Sequence, residues 1–303
     1  MKRILLTTTS LVLAAGVAQA DVSFSGTAGV ALIDDNGASD ATRVDMFFES
    51  YYDFDITASA ESDNGVSVSV GFDMGAGNKI DYNDDDVLEA QGNTVGDADV
   101  AVSYNGWTLT VDQAGIDNLF DDTDGAQDVS IAGSIAGWSV AMTSDQEGST
   151  SSYKVSGNVG GVALTLTGTD NDDNGGDATK IAASYAMGNG LTLKGSVEDE
   201  SLASGGEDEQ TVGFSYAMDA LTVGYTAIKP GEVAGADAFG DEWDLSVKYS
   251  AGAMVASFAI DEADATTIIA DYALGGGASA FAAMHDKAGT ASDLTTVGLN
   301  FAF

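Results

Sequence analysis

The chain has 303 residues, with 48 acidic side chains against 10 basic ones, a single His and no Cys. A net charge of −38 excludes nucleic acid as a partner, since phosphate binding needs the opposite sign. The lack of Cys excludes a disulfide scaffold, and the one Pro, Pro230, suits a chain built of sheet, where Pro would remove a ladder hydrogen bond.

In chain order, residues 1–20 read as a secretory signal. Lys2 and Arg3 form a basic start, 4–15 an apolar stretch, and Ala18-Gln19-Ala20 a small-residue cleavage site. The apolar stretch is too short to span a bilayer. The predicted mature unit is one domain, 21–303, with 8 basic residues against 48 acidic ones and a net charge of −40. No later run reaches the roughly 18 apolar residues that a membrane-crossing helix needs.

From residue 22 onward one pattern recurs. An alternating segment ends near a Tyr, a tight turn rich in Gly and Asn follows, and a second alternating segment leads into an acidic loop. Outgoing strands are predicted to start at Val22, Val66, Trp107, Trp138, Val162, Leu191, Leu221, Met254 and Ala278. The tight turns include Asp63-Asn-Gly65, Asn105-Gly106, Gly160-Gly161, Gly188-Asn-Gly190 and Gly275-Gly-Gly277, whose Gly and Asn supply the positive φ of short hairpins. The other connections are acidic: 34–41, 75–97, 114–127, 145–151, 170–177, 200–209, 230–241, 287–293 and the shorter 261–265. Nine outgoing strands with nine partners predict 18 antiparallel strands. The predicted fold class is all-β, an antiparallel transmembrane β-barrel with short periplasmic turns and longer acidic extracellular loops.

Strand residues alternate between two faces. Val44, Met46, Phe48, Tyr52, Phe54 and Ile56 share one side of their strand; Arg43, Asp45, Glu49, Asp53 and Asp55 share the other. Trp243, Leu245, Val247 and Tyr249 oppose Asp244, Ser246 and Lys248, and Leu191, Leu193 and Val197 oppose Thr192, Lys194 and Glu198. Alternation alone also fits a soluble sandwich with one wet face. The aromatics favour the barrel. Tyr104, Tyr185, Tyr216, Tyr249 and Tyr272 stand on the apolar face just before a tight turn, and Trp107 and Trp138 just after one. With Phe303 they are expected to form a membrane-interface girdle. The last strand sets Val297, Leu299, Phe301 and Phe303 against Thr296, Gly298, Asn300 and Ala302, and is expected to pair with 22–33.

If the polar faces line water, the lumen carries Asp45, Glu49, Asp53, Asp55, Asp73, Asp112, Asp244 and Asp271, with Arg43, Lys154, Lys180, Lys194 and Lys248 also facing in. A loop folded inward at 114–127 would add Asp117, Asp121, Asp122 and Asp124. Opposed acidic and basic walls create a transverse field, and the excess of acid predicts cation preference. Asp170, Asp172 and Asn174 open a segment like a calcium loop, but Ile181 stands where a Glu is required and no helices flank it. The expectation is a solvated acidic loop with weak Ca2+ binding at most, and no required cofactor. His285, the only His, has no nucleophile partner, so no enzyme chemistry is expected. A secreted, acidic, calcium-binding adhesin would need tandem nonapeptide repeats, and none occur.

Two stretches resemble a known family. Tyr272-Ala-Leu-Gly-Gly-Gly-Ala-Ser279 followed by the strand ending in Phe303 is similar to the last hairpin of the Gram-negative general porins, especially the short alphaproteobacterial type. Trp107-Thr-Leu-Thr-Val-Asp-Gln-Ala-Gly-Ile-Asp-Asn-Leu-Phe120 resembles that family's strand leading into its third loop, which folds into the pore. The resemblance implies a homotrimer in outer-membrane lipid and lipopolysaccharide. It implies passive diffusion of small hydrophilic solutes and ions, and recognition of the terminal Phe strand by the outer-membrane assembly machinery. A substrate-specific outer-membrane channel is the alternative. Two departures stand out: loop 114–127 is short for the family, and a hairpin at 129–145 occupies the missing loop's place, giving 18 strands where the family default is 16.

Overall fold

The computed structural model describes residues 20–36, 44–83, 88–90, 99–120, 127–146, 150–171, 177–200, 208–231, 240, 242–288 and 293–303. These hold nineteen strands. The first six are β1 (Ala20–Asn36), β2 (Val44–Glu61), β3 (Ser67–Ile80), β4 (Leu88–Ala90), β5 (Asp99–Tyr104) and β6 (Trp107–Ile116). Then come β7 (Gln127–Ile135), β8 (Trp138–Ser144), β9 (Thr150–Val159), β10 (Val162–Asn171), β11 (Ala178–Ala186), β12 (Leu191–Glu200) and β13 (Glu209–Met218). The last six are β14 (Leu221–Lys229), β15 (Glu242–Ala251), β16 (Met254–Asp261), β17 (Thr266–Gly275), β18 (Ala278–Asp286) and β19 (Asp293–Ala302).

Eighteen of them form one closed antiparallel barrel. Each wall strand pairs with its neighbours in sequence, β3 pairs with β5, and β1 pairs with both β2 and β19. Short β4 stands outside this ring and pairs only with the outer end of β3. Seven of the nine outgoing strands begin at the expected residue, while β1 begins at Ala20 rather than Val22 and β3 at Ser67 rather than Val66. The hairpin expected at 129–145 is present as β7 and β8, two full members of the wall. β19 pairs with Thr27–Asn36 rather than with 22–33, several residues further along β1. Phe303 completes the seam: its N–H donates to the Gly26 carbonyl at 3.1 Å, and its carbonyl accepts from the Gly26 N–H at 3.0 Å.

Closure gives every wall strand a hydrogen-bonded partner on both sides and leaves no free sheet edge, which is the condition for sheet to cross lipid. The hairpins are tight because their tips adopt positive φ, 52° at Asn105 and 80° at Gly106 in the β5–β6 turn. Side chains then sort by parity. Large apolar groups cover the outside, with Phe48 78% exposed and Met46, Ile181, Val212, Leu193 and Val297 also exposed. An exposed apolar surface of this extent is a lipid-facing surface. Gaps in it are filled by aromatics from the next strand. A Cβ on Gly133 would lie 2.5 Å from the Trp107 ring, and one on Gly157 would meet Trp138 equally closely.

Candidate functional site

The inward positions are marked by register and by what covers them. Ile33, Tyr51, Phe281, Leu294 and Thr296 are all buried, on the face opposite the apolar exterior. By the same parity Glu49, Asp53, Asp55, Asp73 and Asp112 project inward from β2, β3 and β6. Asp55 stands directly across from Asp73, Ser25 Oγ donates to Asp55 Oδ2 at 3.2 Å, and Asp53 interacts electrostatically with Asp55, Asp73 and Lys79. Asp45 belongs to β2, and Arg43 lies outside the described residues.

Four lysines sit on the other side of the ring. Lys154 of β9 and Lys180 of β11 both register with Thr167 of β10. Lys180 Nζ pairs with Glu198 Oε2 at 2.8 Å. Lys194 of β12 reaches across Gly213, where a Cβ would come within 2.7 Å of its Cε, and interacts electrostatically with Asp244. Lys248 of β15 stands between Thr222 and Ser257. The wall thus has an acidic arc on β2–β6 and a lysine-bearing arc on β9–β15. A cavity of about 290 Å³ against the second arc is lined by Thr165, Lys180, Ser184, Lys194, Ser196 and Thr211.

Loop 3, between β6 and β7, starts inside the barrel. The register jumps from Val111 opposite Val129 to Ile116 opposite Gln127, so residues 112–115 bulge against Asp128 alone. Beyond the bulge, Asn118 Nδ2 donates to Thr169 Oγ1 at 3.1 Å and the Leu119 N–H donates to Ser152 Oγ at 2.8 Å. The bed beneath is polar and buried: Thr143, Ser152, Thr169 and Gln127, the last 0% exposed. Asp117 is exposed, while Asp121, Asp122 and Asp124 lie outside the described residues.

Loop 2, between β3 and β5, was expected to be an outward acidic connection, and its described part lies inside. β3 keeps register with β2 as far as Gly77, opposite Tyr51. Gly77 has φ +84°, and a Cβ there would collide with the Ser50 carbonyl, so the inward exit needs glycine. Asn78–Ile80 then pairs with Leu88–Ala90, and Ile80, Tyr82 and Leu88 pack on Ile33, Tyr51, Phe281, Ala283 and Leu294. The Tyr82 ring stacks on Phe281 with centroids 4.0 Å apart and planes 6° from parallel, and its hydroxyl donates to Asp271 Oδ2 at 2.6 Å. Burial, and then the bond to Asp271, push the Tyr82 hydroxyl well above the usual tyrosine pKa, although Asn300 pulls the other way.

Other expected residues fall as follows. Tyr104, Trp107, Trp138, Tyr185, Tyr216, Tyr249, Tyr272 and Phe303 all stand on the outer face beside the short turns. Asp170 is exposed at the end of β10, and Asp172 and Asn174 lie outside the described residues. Among the described residues no group of three or more His, Asp or Glu is placed to hold a metal ion. His285 is buried on the inner wall, with Nδ1 3.2 Å from Thr267 Oγ1.

No curated protein matches the chain in sequence. Among solved structures, a double mutant of the Rhodopseudomonas blastica porin is similar with a TM-score of 0.58 and 19% identity, over 93% of this chain and 100% of that one. A triple mutant of the same porin is similar with a TM-score of 0.57 and 21% identity over the same shares. At such identities the likeness is one of fold. The family profile described as Gram-negative porin matches residues 7–292. With the profile spanning nearly the whole chain and the barrel closed around a polar lumen, the chain belongs to the Gram-negative porins, channels of the outer membrane that carry out no enzymatic reaction.

Proposed function

We propose that this porin passes small hydrophilic solutes and ions by passive diffusion and prefers cations. The observation that carries the preference is the inward acidic arc of Glu49, Asp53, Asp55, Asp73 and Asp112, in a chain with so few basic residues to offset it. Lys154, Lys180, Lys194 and Lys248 on the facing arc orient a field across the water path, so that ions of opposite sign travel along different walls. One of the lysines is already neutralised by Glu198. The test is the reversal potential of the purified protein in a planar bilayer under a salt gradient. A cation-selective potential supports the reading and an anion-selective one overturns it.

The remaining assignments belong to the same reading. Residues 1–20 are a cleaved export signal. The apolar exterior and aromatic girdle meet outer-membrane lipid and lipopolysaccharide, the assembly machinery reads the β19 strand and Phe303, and three copies associate as a homotrimer. Ca2+ bridges acidic loops weakly, with Asp170, Asp172 and Asn174 as ligands. Unchanged thermal stability and conductance after chelation would remove calcium from this account.

A further inference from the structure

We infer that the inward strap of loop 2 sets the size limit of this pore, and that Tyr82 is the latch that holds it. The inference rests on the channel reading and adds the element that restricts the water path.

Footprint is the first argument. Loop 2 leaves the wall at β3 and makes its far contacts on β18 and β17, through Phe281 and Asp271. In strand order the path between crosses β2, β1, β19 and β18. The described anchors of loop 3 reach only β9 and β10, through Ser152 and Thr169. The described residues of both loops leave open the arc from β11 to β16, where Lys194, Asp244, Ser246 and Lys248 are inward and exposed. The water path is therefore eccentric, and the broader strap displaces it.

Chemistry is the second argument. A lumen that conducts ions gains nothing from apolar side chains facing water. Yet Ile33, Tyr51, Phe281 and Leu294 all face inward, and all are buried with Ile80 and Tyr82 against them. An apolar seat meeting an apolar strap is a built contact, because either surface alone would be exposed to water. The stack and hydrogen bond of Tyr82 close its end, and the backbone at Gly77 aims the chain at it. Lys79 rides on the strap and interacts electrostatically with Asp53, bringing a cation to the acidic arc.

The absence of native Cys makes the test clean. A reporter thiol, Ala283→Cys, lies under the strap at a position 5% exposed. It is combined with Tyr82→Ala or Phe281→Ala, or with Asn118→Ala as the loop 3 control. Heat-modifiable gel mobility confirms that each barrel is folded. The readouts are labelling by a charged maleimide, single-channel conductance, and liposome swelling with neutral sugars of increasing size. With Tyr82 intact the thiol should stay protected. With Tyr82→Ala it should label, larger sugars should enter, and conductance should rise about twofold. Asn118→Ala should leave the sugar limit unchanged. If the thiol labels while conductance and sugar limit stay fixed, the strap moves without setting the limit. If the thiol stays protected in both latch variants, Tyr82 is not the latch. A sugar limit that rises with Asn118→Ala instead returns the role to loop 3. A folded reporter protein that conducts nothing would overturn the channel reading itself, independently of these outcomes.

Discussion

Loops 2 and 3 both turn in from the rim and lie against the inner wall, but they hold on by opposite means. Loop 2 brings Ile80, Tyr82 and Leu88 onto an apolar seat, whereas loop 3 lays Asn118 and Leu119 on a bed of hydroxyls from Thr143, Ser152 and Thr169. Apolar burial is non-directional and survives small shifts. Hydrogen bonds are directional, and their net worth is modest because water competes for the same groups. The difference implies a firm strap on one side of the lumen and a more easily detached one on the other.

Truncating the firm contact should have the largest effect. Ile80→Ala removes a side chain that is 2% exposed and should weaken strap docking by about 2–4 kcal/mol, read as faster hydrogen exchange across 78–82. If exchange there is unchanged, the apolar seat does not hold the strap. Ser152→Ala should follow, at about 1–3 kcal/mol, since it strips the Leu119 N–H of its acceptor and Thr143 of its partner. Equal protection of loop 3 before and after would erase the contrast between the loops.

A pH titration sharpens the comparison, because Tyr82, which holds loop 2, is a shifted group. When undocked, Tyr82 loses its proton near the ordinary value of about 10. When docked beside Asp271 and Asp81 it keeps the proton to higher pH. The docked state therefore binds more protons, so docking is fully stabilised below about pH 10 and weakens as pH climbs through the raised value. Conductance should rise on the alkaline side, and Tyr82→Phe should flatten that rise; a rise that persists in the variant would assign it to another group. The smallest effect on stability is expected for Lys180→Ala. The Lys180–Glu198 pair has side chains 38% and 12% exposed and is worth roughly 0–1 kcal/mol after solvent screening. Cation selectivity should still increase, because Glu198 is left uncompensated.

The wall of this barrel was legible because its periodicity is local. Alternation places Phe48 outside and Glu49 inside with no knowledge of the partner strand, and turn chemistry such as Asn105-Gly106 locates the hairpin ends. An inward course for loop 3 is suggested only by its resemblance to a family pattern, and its bulged entry has no signal of its own in the sequence. Loop 2 is not legible, because its charge masks its apolar residues: Asp81 and the acidic residues after it suggest a solvated loop, and Ile80 and Tyr82 lie among them. The signal lay elsewhere in the chain. Ile33, Tyr51, Phe281 and Leu294 break the rule that the inward face is polar, and four such exceptions at distant sequence positions require a common cover. The register of β19 on β1 was missed for a related reason. Parity fixes which face a residue takes, but the offset between strands far apart in sequence depends on closure of the whole ring.

The seam between β1 and β19 also bears on how the barrel is made. Thr27 meets Ala302, and Gly26 exchanges both its backbone hydrogen bonds with Phe303, so the pairing that closes the ring joins segments from opposite ends of the described chain. Every other wall pairing forms between near neighbours and can be added hairpin by hairpin. This one must wait for the rest, and until then the outer edge of β1 and the free edge of the growing sheet present unpaired N–H and C=O groups. Assembly of this protein is therefore a race between closure and misplaced edge pairing. Substitutions that slow β19 without touching the lumen should lower the yield of folded barrel while leaving the conductance of each finished channel intact.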